Sequence, residues 1–261
     1  MNEAELVLTH VLNCDRLSLY LNKDSSLPEA KAQEVSSVLK RRMLGEPVQY
    51  ILGSTEFMGL NFKVDKRVLI PRPETEILVT SVIEELKNVK NPRVLDIGTG
   101  SGCIAVSVAK NILFSQVTAV DISFEALEVA KENTKLNQIP VGQIKFIQSD
   151  LFLNLNNQKF DGIISNPPYV STQELSGLAV ELSFEPALAL EAGSDGLDFY
   201  RRIIIQADSY LNSGGFLAFE VGMGQAVKVG DLILAQEKFD FIRIIKDYND
   251  IQRVIIAKKR I

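Results

Sequence analysis

Short apolar runs alternate with amphipathic stretches along most of the chain. The runs 93–97, 117–121, 144–147, 162–165 and 215–220 are largely apolar at consecutive positions. That is the pattern of strands buried on both faces of a parallel sheet. Between them, 102–111, 124–137, 196–212 and 224–237 carry apolar residues at helical spacing, and a further helix is expected at 74–87, ahead of the first of these strands. Repeated strand–helix units predict an α/β fold with a doubly wound, mostly parallel sheet. The last two runs, 240–247 and 252–258, have no helix between them; Tyr248-Asn249-Asp250 joins them as a hairpin. Seven strands are therefore expected, with the last one antiparallel.

The first part of the chain reads differently. Residues 3–12 place Leu6, Val7, Val11 and Leu12 on one helical stripe. Residues 28–43 start with Pro28 and Glu29 and end with Arg41 and Arg42, followed by Gly45 and Pro47. Those are helix start and stop signals. Residues 48–70 suggest a β-hairpin turning around Gly59-Leu60-Asn61. The chain thus divides into a small helical domain at 1–45, a hairpin connector at 46–70 and a large α/β domain at 71–261.

Charge and composition narrow the function. A net charge of -5 argues against a protein that grips nucleic acid along its backbone. The two cysteines, Cys14 and Cys103, have no metal-ligand spacing, and His10 is the single histidine, so no metal is expected. The N-terminus has acids first and no apolar run behind a basic segment, and no stretch is long enough to span a bilayer. A cytoplasmic location follows.

Asp96-Ile-Gly98-Thr-Gly100-Ser-Gly102 lies where the first sheet strand gives way to a helix. Glycines there let the backbone turn sharply and let a ligand approach closely. A dinucleotide fingerprint would put its third glycine at position 103, which is Cys103. A P-loop needs Gly-Lys-Ser/Thr, which is also missing. A turn without phosphate-gripping features suits a nucleoside that carries an amino acid in place of the pyrophosphate, as S-adenosylmethionine does. Asp121, ending the second strand, would accept hydrogen bonds from the ribose hydroxyls. Asp150, ending the third, would accept from the adenine amino group, with Leu151 against the ring. Cys103 reads as a small buried residue.

Ser165-Asn166-Pro167-Pro168-Tyr169 follows the fourth strand, at the end where such sheets bind ligands. Two prolines stiffen the backbone and remove two N–H donors. The Asn166 side-chain oxygen and the Pro167 carbonyl remain as acceptors for a substrate –NH2 group. Paired acceptors aim the nitrogen at the methyl group and favour a twisted, amine-like amide in the transition state. Holding it in line with the methyl–sulfur bond supplies on the order of 7–11 kcal/mol. Tyr169 can stack on the planar amide. No general base is evident.

These residues resemble the release factor glutamine methyltransferase family (PrmC/HemK). The likeness covers almost the whole chain, including Gly53–Phe62, Leu69-Ile-Pro-Arg-Pro-Glu-Thr-Glu76, the glycine turn, Asp121 and Asn166–Tyr169. The resemblance implies a methyltransferase fold, S-adenosylmethionine as donor, and the glutamine of the Gly-Gly-Gln loop of peptide chain release factors as acceptor. It places Gly98, Thr99, Gly100, Ser101, Gly102, Asp121, Leu151 and Asn166 on cofactor contacts, and Asn166, Pro167, Pro168 and Tyr169 on the glutamine site. Arg72, Pro73 and Glu74 would close the pocket mouth. Glutamine methylation of a ribosomal protein and methylation of an exocyclic amine in nucleic acid are the alternatives; the second would require base flipping.

Overall fold

The computed structural model describes residues 2–261. Three short helices open the chain: α1 (Glu3–Leu12), α2 (Arg16–Leu21) and α3 (Glu29–Met43). Asn2 caps α1 in a reciprocal capping box with Glu5. Val7, Val11 and Val38 close a small core together with Val48.

The stretch 48–70 departs from a plain hairpin. Pro47 holds φ at -56° and starts α4 (Val48–Leu52), and Gly53 ends it in the left-handed region. Tyr50, Ile51 and Leu52 are therefore helical. The hairpin itself is shorter, β1 (Ser54–Phe57) and β2 (Leu60–Lys63). It turns on Met58 and Gly59, not on 59–61. Both have positive φ, 53° and 70°, the two-residue turn whose twist matches the strands. Phe57 and Phe62 meet edge to face with ring centres 5.9 Å apart and bury against the main sheet's core. Val64, Val68 and Ile70 pair with no strand; they pack on α7 (Phe124–Leu136) through Ala126 and Val129.

The remaining elements are α5 (Pro73–Leu86), β3 (Arg93–Ile97), α6 (Cys103–Asn111), β4 (Gln116–Asp121), β5 (Ile144–Gln148), β6 (Phe160–Ser165), α8 (Thr172–Leu175), α9 (Asp198–Tyr210), β7 (Leu211–Glu220), α10 (Ala226–Leu234), β8 (Phe239–Lys246) and β9 (Gln252–Lys259). The seven long strands form one sheet in the order β5-β4-β3-β6-β7-β9-β8. All run parallel except β9, which is antiparallel to both neighbours. The chain starts the sheet at β3, winds outward to β5, and returns to β6 on the other side of β3. The strand order reverses there, so the crevice between the ends of β3 and β6 is the place for a ligand.

One face of the sheet is covered by α5 and α6 and the other by α9 and α10, each over its own apolar cluster. Gly162 on β6 makes this possible at one point: a Cβ there would sit 2.6 Å from the Phe216 ring. No helix among the described residues is long and apolar enough to cross a membrane.

Candidate active site

The glycine turn after β3 takes three left-handed residues, Gly98, Gly100 and Gly102, with φ of 72°, 53° and 80°. The N–H groups of Gly98, Thr99 and Gly100 are already used. Gly98 and Thr99 donate to the Val120 carbonyl at 2.9 and 3.0 Å. The Gly100 N–H donates to Asp121 Oδ2 at 2.9 Å. A phosphate would need those donors free. Gly98 and Gly100 face a cavity of about 210 Å³ that also meets Asp121, Ile122, Asp150 and Leu151. A nucleoside without phosphate fits this lining.

Asp121 sits at the end of β4, and burial raises its carboxyl pKa. Its Oδ1 accepts from Ser123 N–H at 2.9 Å, which leaves lone pairs for a ligand. The Asp150 carboxylate is on the cavity wall but grips Arg202 at 2.6 and 2.8 Å. Leu151 has φ of 50°, an unusual value for a branched side chain, and lies almost buried against the cavity.

Three expected cofactor residues do not reach that wall. Thr99 is buried and its hydroxyl donates to Asp96 at 2.6 Å. Ser101 is buried, with its carbonyl accepting from Asn133 Nδ2 at 2.9 Å. Gly102 begins α6, where a Cβ would press on Ala130 at 3.0 Å. All three shape the turn. Burial pushes the neighbouring Asp96 carboxyl up to about 7 and the Cys103 thiol up to about 12, so Cys103 is no nucleophile at neutral pH.

Asn166, Pro167 and Pro168 extend from β6 along the same cavity. Asn166 and Pro167 also border a second cavity of about 410 Å³, with Tyr169, Arg72, Glu74, Glu220 and Arg253. The two cavities therefore share the Asn166–Pro167 wall. Tyr169 lies on the second cavity alone, its carbonyl held by Gln225 Nε2 at 2.9 Å. Burial, with the Glu220 charge nearby, pushes its hydroxyl up to about 12.

The run 72–76 brackets this second cavity. Arg72 pairs with the buried Glu185 carboxylate. Thr75 donates to Glu220 Oε2 at 2.6 Å. Glu76 accepts from the Met58 N–H at 2.6 Å, which ties the hairpin to α5. Thr75 lies inside the Leu69–Glu76 run without a role of its own there, and Glu220, Gln225, Arg202 and Glu185 carry no motif signal in the sequence. The segment from α8 to Ala192 roofs the cavity with Leu178, Leu182, Ala189 and Leu190.

Comparison with known proteins bears on this site. Residues 1–53 match the model of the PrmC N-terminal domain, and residues 74–195 match the methyltransferase small domain. The chain is similar to a release factor glutamine methyltransferase from Thermodesulfovibrio yellowstonii, with 41% identity over 99% of this chain and 92% of the relative. A protein of the same description from Fusobacterium nucleatum is 42% identical over 99% of this chain and 73% of the relative. Among solved structures, the ribosomal protein L11 methylase of Lactobacillus delbrueckii subsp. bulgaricus superposes with a TM-score of 0.54 at 25% identity, covering 76% of this chain and 84% of that one.

Proposed function

The chain belongs to the release factor glutamine methyltransferase family, and from that premise we propose the reaction it performs. It transfers a methyl group from S-adenosylmethionine to the side-chain amide nitrogen of the glutamine in the Gly-Gly-Gln loop of peptide chain release factors, giving N5-methylglutamine. The observation that carries this reading is the wall shared by the two cavities at Asn166 and Pro167.

Bound in the first cavity, S-adenosylmethionine supplies an electrophilic methyl group. Asp121 would hold its ribose hydroxyls, and Ile122 and Leu151 would flank the adenine, with Asp150 beside the amino group. Asn166 donates its own –NH2 to Thr75 Oγ1 at 3.1 Å, so its Oδ1 is the atom left for the substrate. That oxygen and the Pro167 carbonyl accept from the two N–H groups of the glutamine amide. Both acceptors grip more strongly as positive charge builds on nitrogen, which favours the transition state over the bound amide. Tyr169 lies against the plane of the amide and keeps water out. The new nitrogen–methyl bond would form as the methyl–sulfur bond breaks, leaving S-adenosylhomocysteine, and the amide proton would pass to water once the methylated side chain withdraws from the pocket. The reading puts the protein in the cytoplasm with its substrate, and assigns residues 1–45 to gripping the release factor away from the loop; the match of 1–53 to the PrmC N-terminal domain supports that assignment.

The test is transfer of labelled methyl from S-adenosylmethionine to purified release factor. Asn166→Ala should lower the rate about 10²–10³-fold, as loss of a transition-state acceptor does. A Gln→Ala substitution in the substrate loop should abolish labelling. Transfer to a ribosomal protein or to nucleic acid, with none to release factor, would overturn the substrate.

A further inference from the structure

The Asn166 side chain can serve as an acceptor only in one of its two amide orientations. In the other, its –NH2 would face the substrate –NH2. Something must choose between them, and the choice has to be made behind the residue. There Asn166 Nδ2 meets Thr75 Oγ1 at 3.1 Å, and Thr75 Oγ1 meets Glu220 Oε2 at 2.6 Å. Thr75 is 2% exposed and Glu220 1% exposed, so no bulk water competes for either contact.

We propose that Thr75 and the ionised Glu220 carboxylate are positioning residues that lock Asn166 with its oxygen toward the substrate, and that protonating Glu220 releases the lock. The hydroxyl of Thr75 has one hydrogen and two lone pairs. An ionised carboxylate can only accept, so it fixes that hydrogen on Glu220. Thr75 Oγ1 is then an acceptor toward Asn166, and only the –NH2 end of the amide satisfies it. A protonated Glu220 can instead donate to Thr75. The Thr75 hydrogen becomes free to donate to Asn166 Oδ1, and the flipped, unproductive orientation is no longer excluded.

The surroundings place this switch in the working pH range. Burial is the largest influence on Glu220 and raises its pKa, to about 7; Thr75 and Asn166 pull it down by hydrogen bonding, Glu74 on α5 pushes it up, and Arg253 on β9 pulls it down. Tyr169, Tyr200 on α9 and Cys103 on α6 also feel the Glu220 charge. Tyr200 is bound to the Glu220 backbone carbonyl at 2.9 Å, and its hydroxyl stays protonated. The form that locks Asn166 is the ionised one. Activity is thus present above about pH 7 and lost as pH falls through it.

This inference rests on the function proposed above, and the experiment separates the two. Methyl transfer to release factor is measured from about pH 6 to pH 9 with the intact enzyme, together with calorimetric binding of S-adenosylmethionine. Wild type should show an acid limb near pH 7 in kcat. Glu220→Gln should lower kcat about tenfold at pH 8, the worth of one hydrogen bond made in the transition state, and flatten the limb. Thr75→Val, close in shape but without the hydroxyl, should lower kcat by a similar factor with KM little changed, and Thr75→Ser should recover most of that loss. Cofactor affinity in the three variants should match wild type, which reports an intact fold. An acid limb that persists in Glu220→Gln belongs to another group, such as Asp96, and overturns the switch. Full kcat in Thr75→Val overturns the lock. A wild-type enzyme that labels no release factor at all overturns the function itself.

Discussion

Asp121 carries two kinds of partner on one carboxylate. It accepts the Gly100 N–H on one oxygen and the Ser123 N–H on the other, both at 2.9 Å. It therefore sets the glycine turn and offers its remaining lone pairs to the cavity. Replacing it with alanine removes both functions. Asp121→Ala should weaken S-adenosylmethionine binding by about 3 kcal/mol, roughly 150-fold in Kd, the loss of hydrogen bonds to a charged acceptor. Asp121→Asn, which keeps one oxygen, should lose less. Calorimetric titration distinguishes them, and an alanine variant that binds within twofold of wild type would remove Asp121 from the site. At this scale the sequence was readable where chemistry forces a residue type. Glycine marks left-handed turns, and a carboxylate at a strand end marks a hydroxyl-binding position. Along 98–102 the chain alternates, with Thr99 and Ser101 buried while Gly98 and Gly100 face the cavity, and residue type alone does not show that alternation.

Between elements, one buried asparagine does the joining. Asn133, in the last turn of α7, is fully buried. Its Oδ1 accepts from Lys63 N–H at 2.7 Å, and its Nδ2 donates to the carbonyls of Lys63 at 3.0 Å and Ser101 at 2.9 Å. One side chain thus fastens the hairpin and the glycine turn to the same helix. Asn133→Ala leaves those backbone groups unpaired and should destabilise the protein by about 3 kcal/mol in denaturant unfolding. It should also weaken cofactor binding, because the turn loses its anchor. A change below about 0.5 kcal/mol, typical of exposed positions, would show that water replaces the amide. Neither Asn133 nor the Thr75–Glu220 pair was legible in the sequence. An asparagine inside a helix reads as a solvated residue, and a threonine in a first turn reads as helix start; their roles depend on residues 70 and 145 positions away in the chain. The strands and helices from 93 onward were legible because their apolar runs are long and regular. The 48–52 segment was not, since a short apolar run has no period to separate a helix from a strand.

Across the whole molecule, the helical N-terminal segment meets the roof of the second cavity. Arg42 at the end of α3 pairs with Glu3 and with Glu181 of the roof, each at 3.1 Å. Gly45 leaves just enough room for Val180, whose Cγ1 would lie 2.6 Å from a Cβ. The α1–α3 core is a cluster of its own that also takes in Val48, Ile51 and Leu52 of α4, so its packing runs past residue 45. If residues 1–45 grip the release factor, their deletion should lower kcat/KM on the intact factor tenfold for each ~1.4 kcal/mol of docking lost. The rate on a short Gly-Gly-Gln peptide should fall much less. Equal losses on both substrates would assign the segment to supporting the roof.

The place of β9 in the sheet has a consequence for the order of synthesis. β9 is the last strand in the sequence, yet it lies between β7 and β8 and pairs with both. While the nascent chain is still short of residue 252, β7 presents an unpaired edge and β8 has no neighbour at all. Exposed edges of that kind pair readily with other chains, and parts made first fold first. The finished sheet therefore closes late, by insertion of one strand into a waiting gap. A premature stop just before Gln252 would strip the sheet of two strands while removing the residues of only one.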